Sequence, residues 1–245
     1  MAVSAVAAPA GVSGAVFLVP FQIGVLGSAG PVVTSTNLLF NIIATPGALT
    51  AYRRRGSLLS PLTKMLVFGT VPGVIAGVVL RTQLLSGTDA FYLIIALVLG
   101  PLGIWLLTGS ARTPRVAATG QSFGFMSLAA VVGVIGGIYG IGGGSILGPI
   151  LVASGFSVKD VAPAALASTF AASLAGLVTF LLIGAAGTTG VGPDWTLGVA
   201  LGVGGLVGAF LGATMQGRLP ELWIRRLLGA IALVLAARYA LLALT

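Results

Sequence analysis

Long apolar runs alternate with short polar joins along the whole chain, and the runs lack the polar face of a soluble amphipathic helix. Ala2 to Leu26 is apolar but interrupted by Pro9, Gly11, Ser13, Gly14 and Pro20, which predicts a broken element rather than one straight helix. Val32 to Ala51 predicts a spanning helix, with Asn37, Asn41 and Thr45 forming a polar stripe on one face. Leu62 to Leu80 and Ala90 to Leu107 predict two further spans. In the second half Phe125 to Ile138 and Ile146 to Ala153 flank a glycine cluster. Val161 to Ile183, Leu197 to Met215 and Leu222 to Leu244 complete the pattern.

The glycine cluster is the most informative stretch. Seven of the thirteen residues from Gly136 to Gly148 are glycine, Pro149 follows, and no charged side chain lies between Arg115 and Lys159. An unwound backbone in a bilayer is tolerated only where protein buries it or where it lines a watery cavity. A broken membrane helix at Gly142, Gly143, Gly144 and Ser145 is therefore a site candidate. Elsewhere glycines recur at helical spacing, as at Gly69, Gly73 and Gly77 and at Gly198, Gly202 and Gly205, which predicts close helix packing.

The second half repeats the plan of the first. Pro61-Leu-Thr and Pro193-Asp-Trp each open a span, Val71-Pro-Gly and Val203-Gly-Gly fall at matching depth, and Ser35-Thr36 matches Ser168-Thr169. The expectation is a single transmembrane domain over residues 1–245, with repeat 1 at about 1–110 and repeat 2 at about 120–245.

Composition confirms the class. Hydrophobic residues make up 57% and charged residues 7%, with a mean hydropathy of +1.14, against about 25% charged in a soluble domain. The twelve Lys and Arg are scattered over the joins, so the net charge of +8 reads as membrane topology and not as a nucleic-acid surface. If every half had four full spans, seven basic residues would lie inside and five outside. If the two broken elements are re-entrant hairpins, only Arg81 and Arg238 fall outside. The second count favours an all-α polytopic membrane protein of two inverted repeats, each a re-entrant helical hairpin plus three transmembrane helices. Both termini then face outward in a multi-pass cell-membrane protein in contact with lipid; a cleaved signal peptide is not expected, since residues 1–52 carry no charge.

Cysteine and histidine are absent, which excludes disulfides, zinc sites of the usual kind and Ser-His or Cys-His catalysis. The third position of a dinucleotide fingerprint at Gly140-Ile-Gly142 is Ser145, and no Walker lysine is present, so no nucleotide or other cofactor, no metal and no enzymatic activity is expected.

Gly-Ile-Tyr-Gly-Ile-Gly-Gly-Gly-Ser-Ile-Leu-Gly-Pro-Ile-Leu (137–151), followed by Ala167-Ser168-Thr169, resembles the signature of the TauE/SafE sulfite exporter family, also called the toluene sulfonate uptake permeases. The resemblance implies two related halves and so extends over the whole chain. The first-half stretch Gly11 to Pro20 keeps one glycine and the proline but lacks the triple glycine, and Ser35-Thr36-Asn37 stands where a Thr-Ser-Leu type sequence is the pattern. The resemblance implies transport of sulfite or small organosulfur anions, most often export from the cytoplasm.

A mechanism for such an anion follows from helix ends. Every Lys and Arg lies near the end of an apolar stretch, which leaves neutral donors for mid-membrane. A half-helix starting near Gly143 aims N–H groups of Gly144, Ser145 and Ile146 at its mouth, and Ser145 adds a hydroxyl. Ser13 and Gly14 offer a weaker copy from the other side. Gln22, Ser35, Thr36, Asn37, Asn41, Ser168 and Thr169 are further neutral candidates for the cavity, against interhelical or back-bonding roles for the same groups. A channel-like anion pore and a non-transporting assembly subunit are the alternative functions. The carboxylates Asp89, Asp160, Asp194 and Glu221 fall in joins or at helix ends, so no intramembrane proton relay is expected. Which anion is carried and the oligomeric state stay open at this level.

Overall fold

An unpaired backbone N–H or C=O in a bilayer costs several kcal/mol, so an apolar chain becomes helical wherever proline and glycine allow. The computed structural model describes residues 1–28, 30–54, 58, 60–85, 89–108, 122–154, 156–216 and 221–244. The basic residues Arg55, Arg112, Arg115 and Arg218 lie outside this set. Among the described residues all regular structure is helical.

The first half comprises α1 (Ala2–Ala7) with a 3-10 turn (Ala8–Ala10), α2 (Ala15–Gly24), α3 (Pro31–Arg53), α4 (Pro61–Gln83) and α5 (Asp89–Thr108). The second comprises α6 (Ser122–Tyr139), α7 (Gly144–Ala153), α8 (Val158–Ala185), α9 (Trp195–Thr214) and α10 (Glu221–Leu242). Helices α3, α4, α5, α8 and α9 are long and apolar enough to cross a membrane. Each predicted span is present, and polar caps set where several begin. Ser60 accepts from the Thr63 N–H at 3.1 Å, Ser157 from Asp160 at 3.3 Å, and Asp194 from Leu197 at 2.9 Å. Asp89 and Glu221 open α5 and α10.

One expectation needs correction. The pattern ends the second span at Leu80 and leaves Arg81 in an outer join, whereas α4 continues to Gln83 and carries Arg81, fully buried, in its last turn. The guanidinium lies over the Phe91 ring of α5, 4.0 Å from its centroid, and that cover removes it from solvent.

The helices pair in a pattern that survives exchange of the two halves. Helix α4 packs along α6 and α9 along α1; α3 packs along α9 and α8 along α4; α5 packs along α10. The two short helices α2 and α7 are ten residues each, with Pro20 and Pro149 at the same place in both. Glycine makes the close approaches possible, as its spacing predicts. A Cβ on Gly73 or Gly77 would overlap the carbonyl oxygens of Ala130 or Val134 in α6, and one on Gly208 or Gly212 those of Met1 or Ala5. Gly202 and Gly205 admit Ile43 and Phe40 of α3 in the same way.

Gly77→Ala is expected to lower the thermal unfolding midpoint in detergent, at a cost of about 1–3 kcal/mol from overpacking. Gly124→Ala, with nothing within 4 Å of the added Cβ, serves as the control and should leave the midpoint unchanged. Equal midpoints for the two variants would show that backbone contact does not hold α4 to α6.

Candidate functional site

The break between α6 and α7 is built by glycine conformation. Gly140, Gly142 and Gly143 have φ of +84°, +71° and +78°, where any other residue is strained. The N–H groups of Gly140 and Ile141 turn back onto the Gly136 carbonyl at 2.8 and 2.9 Å. Gly143 caps α7 without a side chain, and the backbone N–H groups of Gly142, Gly143 and Ser145 make no backbone hydrogen bond. The positive end of the α7 dipole is therefore lined with unused donors.

Helix α8 fills the space beside these glycines. A Cβ on Gly142 would stand 2.7 Å from both Ser173 Oγ and the Thr169 carbonyl oxygen, and one on Gly144 would overlap the Ala165 carbonyl and lie 2.6 Å from Thr169 Oγ1. The absent side chains here admit a helix; any ligand approaches the N–H groups instead.

The other break, between the 3-10 turn and α2, meets this one tip to tip. The Ser13 N–H donates to Ser145 Oγ at 3.0 Å, and the Ser13 hydroxyl donates to Asn41 Oδ1. Asn41 Nδ2 donates to the Gly140 carbonyl at 3.4 Å, and Asn37 Nδ2 donates to the same carbonyl at 3.0 Å and to that of Ala15 at 3.1 Å. Two asparagines of α3 thus tie both hairpins. Tyr139 adds a bond from its hydroxyl to the Val16 carbonyl at 2.8 Å. All five side chains are buried. Beside Ser4, Ser13, Gly14 and Thr45 lies a crevice with room for about one water molecule.

The sequence-predicted residues divide into two groups. Ser13, Gly14, Asn37, Asn41, Gly142, Gly143, Gly144, Ser145 and Thr169 gather at the hairpin junction, and the Ser168 hydroxyl lies 2.8 Å from that of Thr70, whose methyl lies near Gly143. Ser35 bonds back to the Pro31 and Val32 carbonyls of its own helix, and Thr36 Oγ1 accepts the Asp194 N–H at 2.9 Å at the head of α9. Gln22 is fully buried far along α2, with neither amide atom partnered. The matching of Ser35-Thr36 with Ser168-Thr169 does not carry over to their contacts.

Three buried polar atoms at the junction have no hydrogen-bond partner: Thr169 Oγ1, Ser173 Oγ and Asn37 Oδ1. Ser173, Thr70 and Arg81 were not legible as site residues, although Ser173 stands four residues from Thr169 on the same helix face. Arg81 Nε donates to Thr34 Oγ1 at 3.3 Å, and Thr34 in turn donates to the Ile138 carbonyl at 3.1 Å. Chemically, the junction offers neutral donors and a helix N-terminus. Among the described residues no group of three or more acidic side chains gathers that could hold a metal, and Asp160 and Asp194 are exposed or capping groups at helix starts.

If the tips are held by this network, Ser13→Ala and Asn41→Ala should be coupled. Thermal unfolding of the two single variants and the double variant is expected to give an interaction energy of about 0.5–2 kcal/mol, as for residues in one hydrogen-bond network. Simple additivity would mean the two groups do not act together.

The comparisons with known proteins agree with this architecture. Residues 1–239 match the family described as Sulfite exporter TauE/SafE. No curated protein and no solved structure matches the chain. The match covers nearly the whole chain, both helix breaks included, and the chain belongs to the TauE/SafE sulfite exporter family, whose members are membrane transporters and not enzymes.

Proposed function

We propose that the protein exports sulfite or a small organosulfur anion and binds it between the two broken elements, at the N-terminus of α7 and close to the hydroxyls of α8. The observation that carries this reading is the coincidence of unused donors. The N–H groups of Gly142, Gly143 and Ser145 make no backbone hydrogen bond, and Gly142 and Gly144 pack against α8 where the Thr169 and Ser173 hydroxyls are buried without partners. Burying such groups unpaired costs about 1–3 kcal/mol each, a cost that a bound oxyanion removes by accepting from them. The direct Ser13–Ser145 contact favours a carrier whose hairpins part over an open pore.

The exchange-invariant pairing of helices supports two repeats, and the distribution of basic residues favours their inversion, with re-entrant hairpins α1–α2 and α6–α7. In that arrangement the ends bearing Arg53, Arg54, Lys64, Lys159 and Arg226 face the cytoplasm, and Arg81 and Arg238 belong to the opposite half. Both termini then lie outside. With no described carboxylate inside a span, the anion's own gradient and the membrane potential drive flux, about 2.3 kcal/mol per charge per 100 mV.

Thr169→Val and Ser173→Ala remove hydroxyls that hold nothing in the fold. Each is expected to leave the unfolding midpoint unchanged or raised, while weakening sulfite binding by calorimetry by about 0.5–3 kcal/mol. Wild-type affinity in both variants would move the site elsewhere.

Topology is open to single-cysteine labelling, because the chain has no cysteine of its own. Thr108, Ser154 and Thr188 are exposed, at the end of α5, the end of α7 and the α8–α9 join. An impermeant thiol reagent on intact cells should find Thr108→Cys and Ser154→Cys alike and Thr188→Cys opposite to them. Labelling of only one of Thr108→Cys and Ser154→Cys would rule out a re-entrant α6–α7.

A further inference from the structure

Arg81 is a charge that the packing does not require. Its side chain is fully buried, Nη1 has no hydrogen-bond partner, and no carboxylate among the described side chains pairs with it. Leaving a charge buried and unpaired is destabilising by several kcal/mol, and ionisable groups within membrane spans mark ligand paths. Phe91 under the guanidinium and the negative ends of α4 and α6 offset part of that cost.

The opposite half shows what the position needs structurally. Just past the end of α9, which packs on α1 as α4 packs on α6, Gln216 Nε2 donates to the Pro9 carbonyl at 2.9 Å. Pro9 lies at the end of the first hairpin arm, as Ile138 does in the second hairpin. A neutral amide thus suffices to tie a helix end to the opposing hairpin. In α4 the same tie runs through Arg81 Nε and Thr34, and it leaves Nη1 without a partner.

The place of that fork relative to the junction gives it a use. Thr34 stands one helical turn from Asn37 on the same face of α3, and both touch the Ile138–Gly140 segment: Thr34 bonds Ile138, and Asn37 bonds Gly140. A Cβ on Gly140 would lie 2.7 Å from the Thr34 carbonyl oxygen. The guanidinium is therefore one turn from the asparagine clamp, on the side away from the first hairpin's Ser13.

We propose that Arg81 is an anion-binding residue: its free guanidinium nitrogens form a second subsite for an oxyanion of the sulfite or sulfonate class, next to the hairpin junction on the α4 C-terminal side. The proposal rests on the transport reading above, and it adds the cation that the neutral junction lacks. A guanidinium presents a planar fork matched to two oxygens of one oxyanion, which a halide cannot engage in the same way. The subsite therefore selects oxyanions, and the one-sided placement of the charge gives the two halves different affinities.

The test uses purified full-length protein, with sulfite, methanesulfonate and bromide as probes in calorimetry and with unfolding midpoints recorded in parallel. Arg81→Gln, which copies the neutral tie of the other half, is expected to keep the midpoint and lose tenfold or more in affinity for both oxyanions. Arg81→Lys should keep part of that affinity and lose the preference for oxyanion over bromide. Wild-type affinity in Arg81→Gln overturns the proposal. Should that variant not fold, unchanged affinity and unchanged oxyanion preference in Arg81→Lys overturn it instead. Thr169→Val in the same series separates the two readings: loss there with wild-type binding in the Arg81 variants sinks only the arginine subsite, and the reverse pattern sinks only the hydroxyl site. No binding of any probe oxyanion by the wild-type protein overturns both.

Discussion

The Gly140 carbonyl is the point on which the architecture turns. It ends α6 deep within the protein, where the following glycines have abandoned helical geometry and no next turn can supply a partner. In apolar surroundings such a group must be met by a side chain or remain a penalty of several kcal/mol. Asn37 and Asn41 meet it together, and because they sit on α3 they also fix where α3 runs between the two hairpins. The same asparagines hold Ala15 and Ser13, so satisfying one broken helix locates the other.

The two breaks share a plan but differ in chemistry. In the first hairpin Ser13 Oγ accepts from the Ala15 N–H at 3.2 Å, so α2 has a side chain at its own N-terminus and the Ser13 N–H is spent on Ser145. In the second, glycines stand at 142 to 144, and although the N–H groups of Gly144 and Ile146, expected at the mouth, turn back onto the Gly142 and Gly143 carbonyls, those of Gly142, Gly143 and Ser145 make no backbone hydrogen bond. A helix N-terminus that supplies its own acceptor is a joint; one that does not is a place for an anion. The three consecutive glycines that stand in place of Ser13, Gly14 and Ala15 thus give the second break a different donor chemistry from the first.

Helix order, the two breaks and the Asn37–Asn41 stripe were legible because each has a strong local cause: unbroken apolarity, contiguous glycine with proline, and amides spaced by four in a membrane span. Cap residues moved several ends by a few positions only. The contacts of the hydroxyl residues were not legible. Ser and Thr bond either to their own helix or across to another at similar energy, and only packing decides, as the neighbours Ser35 and Thr36 show in opposite directions. Arg81 was misplaced for a different reason. A lone arginine at the end of an apolar run looks like a join until Phe91, from the next helix, covers it.

The strength of the junction has to match the strength of the ligand. The direct ties between hairpins, Ser13 to Ser145 and Tyr139 to Val16, are neutral hydrogen bonds, worth about 0.5–1.5 kcal/mol each. A ligand present at about 100 times its Kd stabilises the state that binds it by about 2.7 kcal/mol, which is comparable with the two ties together. An ion pair in the same place would cost about 3–5 kcal/mol to break, and such a ligand would leave the hairpins shut. A ligand can shift a conformational equilibrium only by its difference in affinity between the two states. Keeping charge out of the tie itself, with the buried Arg81 a turn away from it, leaves a contact between the two breaks that is weak enough for a ligand of modest affinity to open.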